Sequence, residues 1–161
     1  MADLRIQGRV WTFGDEIDTD QIVPGAFLNC KIEEQSQHAF EAICPEFPRE
    51  FKPGGILVAG SNFGCGSSRE SAPEVLKHLG VAAVVARSFA RIFFRNAIAI
   101  GLPVLVSPEA AAGVRKGDEV EVDLEAARVA DLSTGKTFGG TPLNEMMLAS
   151  LRKGGILKLL G

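Results

Sequence analysis

The most concentrated chemistry in the chain lies in GSNFGCGSSRE, residues 60–70. Gly60, Gly64 and Gly66 let backbone N–H groups come close to a ligand, because no Cβ stands in the way. Ser67 and Ser68 add hydroxyls, and Arg69 adds a guanidinium that can hold a carboxylate through two parallel hydrogen bonds. The stretch runs into a helix, whose first N–H groups and dipole favour an anion. The chemistry on offer is oxyanion or carboxylate binding. A plainer reading stays open beside it: two serines that cap a helix, and an exposed arginine. The stretch is not a standard nucleotide loop. G-x-x-x-x-G-K-[ST] is absent, and Gly64-x-Gly66-x-x-Arg69 lacks the third glycine of the dinucleotide fingerprint.

Three other groups could carry chemistry. GDEIDTDQ, residues 14–21, crowds Asp15, Glu16, Asp18 and Asp20 together, as a calcium loop would. The spacing of such a loop is broken, however, and a solvated turn or a substrate-side role fits as well. In SFARIFFRN, residues 88–96, Arg91 and Arg95 stand at i and i+4 on one helix face. They read either as surface charges of an amphipathic helix or as a basic edge turned to a partner or an acidic substrate. His38 and His78 have no serine or carboxylate at a telling spacing and read as structural or surface residues.

The elements around these groups follow from pattern. RIQGRVWTF at residues 5–13 reads as a strand, and GDEIDTDQIVPG as a loop. A short helix is expected around residues 34–43, ended by Pro45. ILVAG at 56–60 reads as a buried strand. Ser67-x-x-Glu70 and Ser71-x-x-Glu74 are overlapping capping boxes, and Pro73 suits a first helical turn, so a helix is expected from Ser71 to Gly80. VAAVVA at 81–86 is a second buried strand. Ser88 opens a second helix that Gly101 closes, and LPVLV at 102–106 is a third strand. This βαβαβ order implies a mainly parallel sheet with crossover helices. DEVEVDLEAARVADLSTGKTF alternates as antiparallel strands do, with a turn at Ser133-Thr134-Gly135-Lys136. PLNEMMLASLRKGG is a terminal helix with Pro142 at its start. The fold class is α/β with three layers: a parallel core and an added β-rich layer.

A chain of 161 residues fits one domain, residues 1–161, around one sizeable core. Hydrophobic residues at 46% and charged residues at 23% are an ordinary globular balance. A net charge of −3 argues against nucleic acid as a partner. No apolar run reaches the roughly 18 residues of a membrane span, and MADLRIQGRVW does not resemble a signal peptide. The expected compartment is the cytoplasm. Cys30, Cys44 and Cys65 form no C-x-x-C pair, which argues against a disulfide framework and against a self-contained zinc or iron–sulfur site.

Three blocks resemble one family. GDEIDTDQIVPGAFL, GSNFGCGSSRESAPEVLKHLG and ARSFARIFFRNAIAIGLP are similar, in order and spacing, to motifs of the small subunits of isopropylmalate dehydratase and homoaconitase in the aconitase superfamily. The resemblance implies a swivelling β/β/α domain like the C-terminal domain of aconitase. It implies no metal or cofactor on this chain. A partner large subunit would carry a [4Fe–4S] cluster whose open iron acts as a Lewis acid on a small hydroxy-dicarboxylic acid. By the same resemblance Ser67 is the proton-abstracting base. Ser68 and Arg69 hold a substrate carboxylate, Asp20 organises the site, and Asn62 and Cys65 join the substrate-binding set. Phe27-Leu28-Asn29-Cys30 stands where the family carries a specificity stretch. An arginine there goes with a substrate bearing an extra carboxylate. Asn29 cannot neutralise one, so an uncharged branch such as that of isopropylmalate is expected, with homoaconitate and smaller alkyl-malates as alternatives. A homo-oligomer of the isolated chain is compatible with the sequence. So is a binding domain without catalysis, and order near residues 25–35 is not legible.

Overall fold

The computed structural model describes residues 4–67 and 70–160. In chain order the elements are β1 (Arg5–Thr12), α1 (Thr19–Ile22), a 3-10 turn (Gly25–Phe27), α2 (Ile32–Ser36), α3 (Phe47–Glu50), β2 (Ile56–Ala59), α4 (Ser71–Leu79), β3 (Ala83–Ala86), α5 (Arg91–Ile100), β4 (Val104–Val106), α6 (Pro108–Gly113), β5 (Glu119–Asp123), β6 (Arg128–Asp131), β7 (Thr137–Gly139), α7 (Glu145–Lys153) and α8 (Ile156–Leu160). The strands form one seven-stranded sheet in the order β4-β3-β2-β1-β5-β6-β7. The β4-β3-β2-β1 half is parallel and β1-β5-β6-β7 is antiparallel. The expected parallel core and added β layer are therefore joined through β1, whose early residues pair with β5 and whose late residues pair with β2.

Side-chain alternation explains the layering. Successive residues of a strand point to opposite faces. Leu57 and Ala59 of β2, and Val84 and Ala86 of β3, pack with Val75 and Leu76 of α4 and Phe93 and Ala97 of α5. Their neighbours Ile56, Val58, Ala83 and Val85 pack instead with Val120, Val122 and Val129 of the antiparallel half. The sheet thus curls so that its antiparallel half covers one face of its parallel half, while α4 and α5 cover the other. This is the α/β, β/β/α arrangement that the resemblance implied. Both faces of β2 and β3 are buried, so these strands read as unbroken apolar runs.

Local starts and stops follow less obvious rules. α4 begins at Ser71 as expected, but no capping box forms there: Glu70 precedes it in helical conformation with no side-chain cap. The box that does form is Asp18-x-x-Gln21, outside the segments expected to be helical. The Asp18 Oδ1 accepts the Gln21 N–H at 2.8 Å and the Gln21 Oε1 accepts the Asp18 N–H at 3.0 Å. The helix expected at residues 34–43 is instead the shorter α2, followed by turns. α5 starts three residues later than expected, because the Ser88 hydroxyl accepts the Asn62 N–H at 2.8 Å and is not free to cap. Pro142 precedes α7, whose cap is Asn144.

Candidate functional site

The loops after β1, β2 and β3 all leave the carboxyl ends of parallel strands, where open α/β sheets place their ligands. Backbone hydrogen bonds knit them together beyond the strands. The Gly60 N–H donates to the Gly14 carbonyl at 3.0 Å, Glu16 N–H to Ser61 at 2.8 Å, Gly64 N–H to Ile17 at 2.7 Å and Thr19 N–H to Cys65 at 2.8 Å. On the other side, the Phe63 N–H donates to the Ser88 carbonyl at 3.0 Å and the Ala90 N–H to Phe63 at 2.9 Å. The glycine loop is thus held as a central strand between the acidic loop and the entry to α5.

Two residues of this weave bend the backbone the wrong way for L-amino acids. Glu16 has φ 57° and Asn62 has φ 59°. Such residues cost of order 1–3 kcal/mol each and persist where their surroundings over-determine them. Here the Asn62 Nδ2 donates to the Glu16 Oε2 at 2.9 Å, tying the two bends to each other. Gly64, at φ 85°, needs to be glycine for a second reason: an added Cβ would run into the ring of buried Phe93. The Cys65 thiol lies 3.6 Å from the same Glu16 oxygen. Burial pushes that thiol up from its ordinary pKa, and the Glu16 carboxylate and then Asp18 push it further, so Cys65 is a neutral thiol.

Past Gly66 the loop opens on a cleft of about 250 Å³. Its described walls are Thr19, Gly64, Gly66 and Ser67 from the two loops, and Ala90, Arg91, Ile92 and Phe93 from the start of α5. Ser67 is exposed, and among the described residues no partner engages its hydroxyl. Its carbonyl is fixed: the Thr19 hydroxyl donates to it at 3.0 Å. Thr19 is only 3% exposed, so this is a buried clamp under the serine. Larger depressions lie elsewhere. One of about 670 Å³ runs along α5, α7 and α8 and, among the described residues, shares only Ile92 with the cleft. Another, about 730 Å³, lies among Arg9, Trp11, Lys52 and Lys116, away from these loops, and a third, about 480 Å³, lies beside Lys31, Glu33 and Gln37. None of these holds Ser67 or the glycine loop, although the first takes in Arg95, so volume alone does not locate the chemistry.

The remaining expected residues are spread around this centre. Ser68 and Arg69 lie outside the described residues. The Asp20 Oδ1 accepts the Gly25 N–H at 2.9 Å and so links α1 to the specificity stretch. That stretch packs against α2 and the turns that follow it. Phe27 stacks on His38 with ring centroids 3.7 Å apart, and the Gln35 Nε2 donates to the Leu28 carbonyl at 3.0 Å. His38, with no carboxylate partner expected, has Glu41 at 2.8 Å. Asn29 is exposed, and Phe27, Leu28 and Asn29 are not among the described residues that line the cleft. Asn62 and Cys65 direct their side chains at Glu16. Sequence reading missed Thr19 and Ile92, and left Arg91 undecided. The D-x-x-Q capping signature that orients Thr19 was legible; its partner, 48 residues away, was not.

Among the described residues no three His, Cys, Asp or Glu side chains converge to hold a metal ion. No helix among them is long and apolar enough to cross a membrane.

Comparison with known proteins places this geometry. Residues 16–109 match the aconitase C-terminal domain. The chain is 49% identical to the methanogen homoaconitase small subunit of Methanothermobacter thermautotrophicus, over 94% of this chain and 88% of that one. It is also 49% identical to 3-isopropylmalate dehydratase small subunit 1 of Methanopyrus kandleri (96% and 92% covered), and 47% identical to the isopropylmalate/citramalate isomerase small subunit of Methanocaldococcus jannaschii (96% and 93%). The crystal structure of a 3-isopropylmalate dehydratase from Methanocaldococcus jannaschii superposes with a TM-score of 0.91 at 39% identity, covering 97% of this chain and 93% of that one. The chain belongs to the family of isopropylmalate dehydratase and homoaconitase small subunits, within the aconitase superfamily.

Proposed function

We propose that this chain is the small subunit of a cytoplasmic 3-isopropylmalate dehydratase. Such a hydro-lyase interconverts 2- and 3-isopropylmalate in leucine biosynthesis and is active only with an iron–sulfur large subunit. The observation that carries the reading is Ser67, exposed in a cleft at the carboxyl ends of the parallel strands and clamped from below by Thr19.

Ser67 Oγ, as the alkoxide, takes the proton next to a substrate carboxylate. The electrons of the broken C–H bond form the new double bond as the hydroxyl departs from the adjacent carbon. Return of water at the other carbon completes the isomerisation. A serine alkoxide needs a cation and N–H donors around it. Arg69 and the N–H groups of the glycine loop are what this chain offers. Ser68 and Arg69 hold a substrate carboxylate, and Asp20 keeps the specificity stretch attached to the site through Gly25. The [4Fe–4S] cluster expected on the large subunit supplies Lewis acidity to the leaving hydroxyl.

Phe27, Leu28 and Asn29 sit on the segment that would meet the substrate's branch once the partner closes over the cleft. Asn29 carries no charge, and an extra carboxylate left unpaired in a closed site is costly. This favours an uncharged branch. The names of the relatives support keeping homoaconitate and citramalate-like acids as the second reading. The test is an anaerobic dehydratase assay of this chain mixed with the cluster-loaded large subunit that co-purifies with it. Isopropylmalate, homocitrate and dimethylmalate are the panel. Turnover of isopropylmalate in the mixture and not by either chain alone is the expected result. Turnover of another acid keeps the mechanism and changes the substrate. If nothing co-purifies and no acid reacts, the chain is a binding domain without catalysis.

A further inference from the structure

The reading above gives one substrate carboxylate to Ser68 and Arg69, yet a malate carries two. A second carboxylate in a water-excluded site needs its own partner. We infer that Arg91 binds it, from the α5 side of the cleft that Ser67 lines; the inference rests on the proposed function.

Three observations lead there. Arg91 lines the same 250 Å³ cleft as Ser67 and Thr19. Ligand pockets for drug-sized molecules run to roughly 300–1,000 Å³, so this one suits a smaller acid. Arg91 is exposed, and among the described residues no carboxylate pairs with it. It is also the first residue of α5, behind Ala90, which gives no side-chain cap, and the first turn holds no acid. A cation at that end opposes the helix dipole. The fold gains nothing from a guanidinium in this place, whereas an anion between Arg91 and the loop would reverse the sign of the interaction. Arg95 supplies the contrast. It stands one turn along the same helix and lines the larger α5–α7–α8 groove, not the cleft.

Arg91→Gln, Arg91→Lys and Arg95→Gln are each assembled with the large subunit, and kcat and KM are measured for the acid that the parent enzyme turns over. For Arg91→Gln, KM should rise tenfold or more with kcat within about threefold, as expected when a charge-assisted hydrogen bond to bound substrate is lost. Arg91→Lys keeps the charge without the planar fork and should recover most of the loss. Arg95→Gln should leave both constants unchanged. A KM for Arg91→Gln within twofold of the parent, or a loss confined to kcat, overturns the assignment. Should that variant fail to assemble, the full parent chain is titrated with malate and the Arg91 side-chain Nε resonance followed by NMR. A saturable shift supports the assignment and a flat response overturns it. If the parent pair turns over no acid on the panel, the subunit reading is what fails, and the same titration decides Arg91 separately.

Discussion

Two polar turns in this molecule look alike in sequence and behave oppositely. Residues 131–136, DLSTGK, and residues 61–67, SNFGCGS, both mix serine, glycine and neighbouring acids. In the first, the polar groups bond within the turn and to the neighbouring strand, with the buried Asp131 Oδ2 as the exception. The Asp131 Oδ1 accepts the Ser133 and Thr134 N–H groups at 3.0 and 3.2 Å, and the Ser133 hydroxyl accepts the Glu119 N–H at 2.9 Å. The turn closes on itself and connects β6 to β7. In the second, the network stops short. Glu16, Asn62 and Cys65 bond to one another, Thr19 fixes the Ser67 carbonyl, and the Ser67 hydroxyl is left facing a cleft. What separates architecture from a site here is where the hydrogen bonding ends, not the residue types.

On that contrast, the largest effect comes from the group left open. Ser67→Ala should lower kcat of the assembled enzyme by roughly 10³-fold, within the range a positioned general base contributes. Co-purification with the large subunit should be unchanged, because among the described residues the hydroxyl supports nothing else. Activity within a few-fold of the parent would remove Ser67 from the chemistry. Next is Gly64→Ala, aimed at the frame. It forces a Cβ both into a left-handed backbone and against the buried Phe93 ring. Together these should cost about 3 kcal/mol of unfolding free energy, read by chemical denaturation. The same substitution at Gly135 has the left-handed penalty (φ 79°) but meets no atom within 4 Å, and should cost about half as much.

Thr19 lies at the border of the two behaviours: a structural hydrogen bond placed directly under the serine proposed as the base. Thr19→Val keeps the shape and removes the donor to the Ser67 carbonyl, so kcat should fall about tenfold, the equivalent of one ordinary hydrogen bond. Thr19→Ser should restore most of it. Equal stability of the two variants with unequal kcat would mark Thr19 as a positioning residue; equal kcat would make it packing alone. Its role also shows what the sequence could and could not tell. The unbroken apolar runs of β2 and β3 reveal a strand buried on both faces, and the glycine loop followed by a helix reveals an anion-friendly end. The family motifs name Ser67. The start of α5 is misread, because Ser88 bonds to Asn62, 26 residues away, and propensity rules assume that a serine before a helix caps it. The left-handed bends at Glu16 and Asn62 are invisible for the same reason: each is imposed by the other loop. Local pattern fixes elements, whereas the cleft is made by contacts between segments tens of residues apart.

The smallest expected effect belongs to the closed turn, and it changes with pH. Asp131 is 1% exposed and its Oδ2 has no hydrogen-bond partner among the described residues. Burial raises its pKa, and the Asp118 carboxylate beside it raises it further, while Asp118 itself is lowered by the same contact. Two carboxylates can only repel there; one shared proton turns the contact into a hydrogen bond. Because the folded pKa of Asp131 lies above its unfolded value, its protonated form contributes stability below the ordinary carboxylate range. That contribution is lost as pH rises through the folded value. Asp131→Asn keeps the oxygen that accepts from Ser133 and Thr134 and replaces the unpartnered oxygen with a donor towards Asp118. It should therefore stabilise the fold at neutral pH by about 1 kcal/mol, the cost of one buried unsatisfied acceptor. The difference from the parent should shrink as pH falls towards the ordinary carboxylate range, where the parent gains the same donor by protonation. Thermal unfolding of both proteins across that interval measures it, and dehydratase activity at neutral pH should be the same for both. A variant less stable than its parent at every pH would mean that the Asp131 charge is used by the turn after all.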